Sequence, residues 1–244
     1  MKISTEIKKG GFNISPLDFN IKNIFSSIQY DSADGLKEAF LSLKLNSIPL
    51  SFEIVNNLSS PDYSVFSATE IVQLRKFVPK SLEDNITGSS QVLIDINVPS
   101  FKKGAKIKKS FIKFSSDLIG TNISLLDPFY KPKDEEINFN FQYYPAHTKD
   151  YSQLRFKYGD VLRGKLDLSS DKKQGYLIAG AEKQSITTEP GIISLIGTFK
   201  KFDLGLLNLE SQTFDDQSIN FNIKNLVIKE VKYSDFIIPK TRIY

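Results

Sequence analysis

The sequence predicts a mainly β protein, with an antiparallel β-sandwich or barrel-like core and one or two short helices in the N-terminal third. Apolar and polar residues alternate over several segments, which is the period-two pattern of strands with one buried face. Turn residues separate many short segments of this kind in the C-terminal half. The chain of 244 residues also carries 19 Phe and 10 Tyr, which favour the half-buried surface of a sheet.

The clearest strand lies at residues 137–144, INFNFQYY, where every second side chain from Ile137 points to the same side. Residues 91–98 and 218–224 repeat this alternation. Residues 154–199 predict a meander of short strands. The turns between these strands are predicted at residues 159–160, 169–175 and 189–191. Glycine and proline supply the backbone angles that such turns need.

Two segments favour short helices. Residues 67–70, SATE, match a capping box, and apolar residues follow at helical spacing up to Pro79. Residues 34–45, DGLKEAFLSLKL, place three apolar side chains on one helical face. The last leucines of that segment also alternate, so a strand there is the alternative.

The polar segment 85–90, NITGSS, is the most plausible internal boundary. It divides the chain into residues 1–88, a mixed α/β region with an extended arm, and residues 89–244, an antiparallel β domain with a C-terminal arm. One continuous domain is the alternative.

The pentapeptide FNIKN occurs twice, at residues 19–23 and 221–225. In a chain rich in Asn, Lys and Ile, such a repetition arises by chance more often than by duplication. Two similar edge strands are a further explanation. No longer period of the solenoid type is found.

The residues that carry catalysis or bind metals are scarce. The chain has no Cys, which excludes a disulfide framework and a zinc thiolate site. Its single histidine, His147, has Asp150 nearby, but no G-x-S-x-G elbow supports a triad. The acidic runs at 134–136 and 215–216 are interpreted as solvated loops, because a catalytic acid needs an apolar pocket to raise its pKa. We therefore predict a protein that is not an enzyme and has no cofactor or metal.

The segment 100–114, SFKKGAKIKKSFIKF, concentrates positive charge. Its lysines are Lys102, Lys103, Lys106, Lys108, Lys109 and Lys113. We predict a hairpin that turns at Lys103 and Gly104 and carries lysines on both faces. This distribution argues against a flat basic face for a polyanion and fits a projecting hairpin or a protected edge strand.

Two further groups of residues are candidates for interaction. Tyrosine is enriched in contact surfaces, and the tyrosines concerned are Tyr143, Tyr144 and Tyr151. The C-terminal segment 234–244 has the character of an arm that reaches a neighbour, with apolar Phe236, Ile237 and Ile238 before a proline. With the lysines at 102, 103, 106, 108 and 109, these residues form the predicted interaction surface.

These features favour a non-catalytic structural or assembly protein, a β-rich subunit of a multimeric particle such as a phage virion, in its tail, baseplate or connector. The expected partners are copies of the chain and neighbouring subunits. A glycan-binding adhesin module and a single-stranded nucleic-acid-binding β-barrel that uses the lysine-rich hairpin are the alternatives. We see no signal peptide and no transmembrane helix, so we expect synthesis in the cytoplasm and incorporation into a virion; the localisation is otherwise open.

Overall fold

The computed structural model describes residues 2–14, 19–31, 35–55, 63–78, 80–99, 109–146, 151–169, 173–181, 186, 189–204, 220–233 and 236–243. Within these residues the protein is mainly β, as predicted. The strands are β1 (Lys2–Ile7), β2 (Gly11–Ile14), β3 (Phe19–Asp31), β4 (Gly35–Leu45), β5 (Ile48–Val55), β6 (Tyr63–Val72), β7 (Ile86–Gly88), β8 (Ser90–Pro99), β9 (Phe111–Ser116), β10 (Thr121–Ile123), β11 (Phe139–Tyr144), β12 (Ser152–Tyr158), β13 (Leu162–Leu168), β14 (Lys173–Ala179), β15 (Ile192–Asp203), β16 (Asn220–Tyr233) and β17 (Phe236–Ile243). A 3-10 turn at Leu74–Phe77 and a single helical turn, α1 (Lys80–Glu83), lie between β6 and β7.

The chain forms two compact units. Unit 1 comprises Met1–Ile71 and Val92–Ser115, and unit 2 comprises Val72–Gln91 and Ser116–Tyr244. Each unit therefore draws residues from both sides of residue 88, where the sequence suggested a boundary.

Unit 1 is built on neighbouring strands in the order β1-β3-β4-β5-β6-β8-β9, and β2 also pairs with β3. The register is antiparallel for β1, β2 and β4 on β3, for β4 on β5, for β5 on β6 and for β8 on β9. Leu43 pairs with Leu50, and Leu41 with Phe52, where Leu50 and Phe52 are almost fully buried. Alternate residues of β4 and β5 thus build the core of this unit.

Unit 2 contains a mixed sheet. Strands β11 to β14 are antiparallel, β14, β15 and β16 are parallel, and β17 returns antiparallel to β16. A core of Ala179, Phe199, Leu226, Ile228 and Val231 forms around the parallel strands. The prediction of a purely antiparallel domain is therefore wrong. The segments 180–191 and 204–219 are long enough for the dozen or more residues that a parallel connection requires.

Neither predicted helix is confirmed, and of the second along the chain only the 3-10 turn at Leu74–Phe77 is helical. The segment from residue 35 to residue 45 is strand β4, and the expected helix start at Ser67 lies inside strand β6. Phe66, Ala68 and Val72 of β6 are buried at even spacing, which is the period of a strand. Among the described residues, no helix has the length and apolar character needed to cross a lipid bilayer.

The predicted strands are confirmed. The alternation at 137–144 becomes β11, that at 91–98 becomes β8, and that at 218–224 becomes the start of β16. The meander at 154–199 becomes β12 to β15, with a turn at Gly159 as predicted. Both ends of the described chain, β1 and β17, are strands that pair with a neighbour.

Candidate functional site

Only the ends of the lysine-rich segment are described. Strands β8 and β9 pair antiparallel from Leu93 with Ser115 to Asn97 with Phe111, which confirms the pairing expected of a hairpin. Its predicted turn lies outside the described residues, with Lys102, Lys103, Lys106 and Lys108. Lys109 is exposed just before β9. The structure therefore does not place the basic cluster.

The predicted tyrosine group separates into three environments. Tyr143 is buried, and its hydroxyl lies 3.1 Å from Ser152 Oγ. Tyr144, the next residue of β11, points to the other face, where the guanidinium of Arg155 lies 5.1 Å from the centre of its ring. Tyr151 is exposed. Tyr143 is thus a core residue, and only the other two remain surface candidates.

A row of polar side chains, here called the polar strip, crosses β12 and β13 beside Tyr144. Arg155 Nε donates to Gln153 Oε1 at 2.7 Å, and Gln153 Nε2 donates to Asp167 Oδ1 at 2.8 Å. The Nζ atom of Lys165 lies 3.8 Å from Asp167 Oδ2. The sequence analysis missed this strip, although alternating polar residues at 153, 155 and 157 marked the outward face of β12. The connected hydrogen bonds give this face a fixed pattern of charge.

The C-terminal hairpin, strands β16 and β17, exposes the apolar residues that the sequence analysis singled out. Phe236 is 73% exposed and Ile237 is 62% exposed. Ile238 pairs with Val231 in the β16 ladder, and its side chain lies outside the described residues. Strand β17 ends the strand order of unit 2, so it is an edge strand. Pro239 within it cannot donate a backbone hydrogen bond, as is common on edges.

The N-terminal ribbon, strands β1, β3 and β4, exposes a second apolar set. All six residues of β1 are exposed, including Ile3 and Ile7. Phe25 of β3 and Phe40 of β4 are also exposed, and their rings meet edge to face with centroids 6.0 Å apart. The sequence analysis interpreted the N-terminus as an arm, but it did not identify these two aromatic residues.

The most unusual polar group is Lys131, which is 0% exposed. Its Nζ donates to the carbonyl oxygens of Thr121 at 2.9 Å and Pro132 at 3.0 Å. The hydroxyl of Thr121 lies 2.5 Å from that of Ser90, which is also buried. We call Lys131 and its surrounding residues Ser90, Thr121 and Pro132 the lysine cradle. Nothing in the sequence around Lys131 predicted it.

Two pKa shifts accompany the lysine cradle. Burial lowers the pKa of the Lys131 ammonium, against the opposing influence of carboxylates led by Glu135. Burial also raises the pKa of Tyr158 to about 12, assisted by the charge of Glu135. The hydroxyl of Tyr158 donates to the carbonyl of Phe129 at 3.4 Å. Because Lys131 is fully enclosed and donates to backbone carbonyls, it connects its own segment to strand β10.

The other candidate groups do not converge on a site in the described residues. His147, Asp150 and residues 215–216 lie outside them, and the acidic run 134–136 is exposed. In the described part of the chain, no group of three or more His, Asp and Glu residues is arranged to hold a metal ion.

Comparison with protein-family models, with curated proteins and with solved structures found no match to this chain.

Proposed function

We propose that the chain is a non-catalytic structural subunit that assembles with copies of itself and with neighbouring protein subunits. The observation that carries this proposal is the exposure of Phe236 and Ile237 at the start of β17. Adjacent residues of a strand point to opposite faces, so both faces of the C-terminal hairpin present an apolar side chain to solvent. An edge strand that carries exposed apolar side chains is a site at which another chain can pair.

The N-terminal ribbon supports the same proposal. Phe25 and Phe40 lie against each other on one face of the ribbon, whereas Ser26 is buried on the other face, where Ile7 pairs with it. Within the described residues both phenylalanines are exposed, so this face lacks the cover that a packed sheet gives its core residues. Contact with another subunit provides that cover.

Two finer parts of the proposal come from the sequence. We propose that the strands enclose a sandwich or barrel-like core, as the short alternating segments suggest. We also propose a phage virion, with a place in the tail, baseplate or connector, as the kind of particle. The scarcity of catalytic side chains in the sequence favours this choice.

Native mass spectrometry of the full chain over a range of concentrations tests the proposal. We expect the parent protein to form oligomers and the double variant Phe236→Ser, Ile237→Ser to shift towards the monomer. Ile71→Ser is the matched control, because Ile71 is 75% exposed but belongs to β6, and it should leave the oligomers unchanged. A parent that stays monomeric at every concentration, and that retains no partner when purified from its source, contradicts the proposal.

The alternatives give different results in the same preparation. A complex with oligo(dT) that weakens steeply as salt is added favours single-stranded nucleic-acid binding, because counterion release makes such binding sensitive to salt. A rise in melting temperature with a saccharide favours the glycan-binding module, because a ligand that binds the folded state stabilises it. Either result in a monomeric protein replaces the assembly proposal.

A further inference from the structure

The two FNIKN copies adopt the same unusual backbone conformation. Asn23 closes the first copy with φ of 53°, and Asn225 closes the second with φ of 50°. Left-handed angles are uncommon for residues other than glycine and are most accessible to Asn and Asp. The residues of this kind in the described chain are Asn23, Asn46, Ser47, Leu118 and Asn225. Two of these five positions are thus the same position of one repeated pentapeptide.

Each copy also inserts one extra residue into its strand. In β3, Lys22 pairs with Lys44 but Phe25 pairs with Ser42, so two residues of β3 lie opposite a single residue of β4. In β16, residue 223 pairs with 195 but 226 pairs with 197, so two residues of β16 lie opposite one of β15. Both copies are therefore β-bulges, which bend and twist a strand.

The neighbouring strand does not explain the shared conformation. The bulge in β3 faces β4, which runs antiparallel, whereas the bulge in β16 faces β15, which runs parallel. Hydrogen-bond patterns differ between these two kinds of ladder. The feature that the two sites share is the pentapeptide.

The bulge in β3 changes which side chains face the core. Phe19 and Ile21 are buried before it at odd positions, and Ser26 is buried after it at an even position. Without the extra residue, the inward-facing side chains would stay at odd-numbered positions along the whole strand. The insertion therefore sets which residues of the second half of the strand face inward.

We propose that FNIKN is a repeated register element: each copy places its last asparagine in the left-handed region and so fixes the bulge that orients the rest of its strand. The repetition then has a structural cause, contrary to the interpretation of chance from the sequence. Each copy lies in a strand that pairs antiparallel with the next strand of the chain, β4 or β17, so the element stands at the base of a pair of antiparallel strands in both units.

Valine substitutions test the element, because valine should lower the melting temperature at the fifth position of each copy but not at the second. Valine favours extended strands and disfavours left-handed angles. Asn23→Val and Asn225→Val should each lower the melting temperature by about 2–8 °C, from the cost of a left-handed residue in a chain of this size. Both side chains are exposed, so lost core packing does not contribute. Asn23→Gly and Asn225→Gly should melt as the parent does.

The matched controls are Asn20→Val and Asn222→Val, at the second position of each copy within the same strands. These should melt at or above the parent temperature. Independently of any variant, NMR backbone shifts of the parent should report left-handed conformations for both asparagines. Equal effects at the second and fifth positions, or a left-handed asparagine in only one copy, would overturn the proposal.

Discussion

The small sheet in which β7 pairs antiparallel with β10 and the C-terminal hairpin of β16 and β17 differ in which kind of side chain they bury. Beside the first, Lys131 is fully buried, whereas in the second Phe236 is 73% exposed. By residue type alone the reverse is expected, since lysine is among the least buried residues and phenylalanine among the most buried. In the lysine cradle the chain supplies carbonyl acceptors for the ammonium. The described residues around Phe236 leave most of its side chain exposed. The contrast shows that a side chain is buried where neighbouring residues of the fold enclose it, whatever its type. It is the basis for proposing that another subunit encloses Phe236.

The largest expected effect tests how tightly the small sheet is packed. Gly88 has φ of 80°, and a Cβ there would overlap the carbonyl oxygen of Gly120, which is backbone and cannot move aside cheaply. We expect Gly88→Ala to lower the free energy of unfolding by about 3–5 kcal/mol, from left-handed strain together with overpacking. Gly191→Ala is the matched control, because Gly191 has a similar φ of 74° and its Cβ would meet no described atom within 4 Å. It should cost about 1–2 kcal/mol, from strain alone. Equal losses in urea denaturation would show that the small sheet is loosely packed.

The next largest effect concerns the buried ammonium of Lys131. Lys131→Met keeps a long side chain but leaves the carbonyls of Thr121 and Pro132 without their donor. We expect a loss of about 2 kcal/mol at pH 7, because the buried carbonyl of Thr121 loses its donor, and this costs more than is regained by removing a buried charge. The folded pKa of Lys131 is below the unfolded value, so the unfolded chain binds more protons between the two values. The parent should therefore gain stability as pH rises through that window towards 10.5, and the variant should lack this gain. Parallel stability curves for the two proteins would contradict the buried position of the ammonium.

Period-two alternation predicted several of the strands but not their partners. It located β8, β11 and β16 because each has one face against a core. It failed at residues 35–45, where spacings of three, four and two residues coexist and only pairing with β5 decides for a strand. The parallel order of β14, β15 and β16 depends on contacts between distant segments, which no local pattern contains.

The candidate surfaces were predictable where a local pattern marked them and not where they depend on contacts between distant residues. Phe236 and Ile237 stand in a short apolar run near the end of the sequence, and this made them visible as candidates. Tyr143 and Tyr144 were both named as candidate contact residues, although the predicted alternation already put them on opposite faces of one strand. In the structure Tyr143 is in the core and Tyr144 lies beside Arg155. The burial of Lys131 depends on the carbonyl of Thr121, ten residues away, and on the fold of the loop between them.

A smaller effect of pH should come from Tyr158. Its pKa is raised from 10.0 to about 12, so the folded chain retains a proton that the unfolded chain releases. The resulting stability is fully present below pH 10 and is lost as pH rises from about 10 through 12. The loss should be below the roughly 2.7 kcal/mol that two pKa units represent, because solvent screens a side chain that is partly exposed. Tyr158→Phe should remove this part of the alkaline decline in urea denaturation series at pH 9 to about 12. An unchanged decline would place the hydroxyl in open solvent.

The smallest expected change in stability is at the exposed C-terminal hairpin. Phe236→Ala should change the free energy of unfolding of the dilute monomer by no more than about 0.5 kcal/mol, because most of the side chain is already in water. Phe199→Ala in the same unit is the contrasting variant, since Phe199 is 4% exposed and its ring lies 5.5 Å from that of Phe202. It should cost about 3–5 kcal/mol, as core phenylalanine truncations do. Urea denaturation at low protein concentration gives both values. A large loss for Phe236→Ala in the monomer would mean that the chain itself covers this residue, and the main argument for a partner at the C-terminal hairpin would then fail.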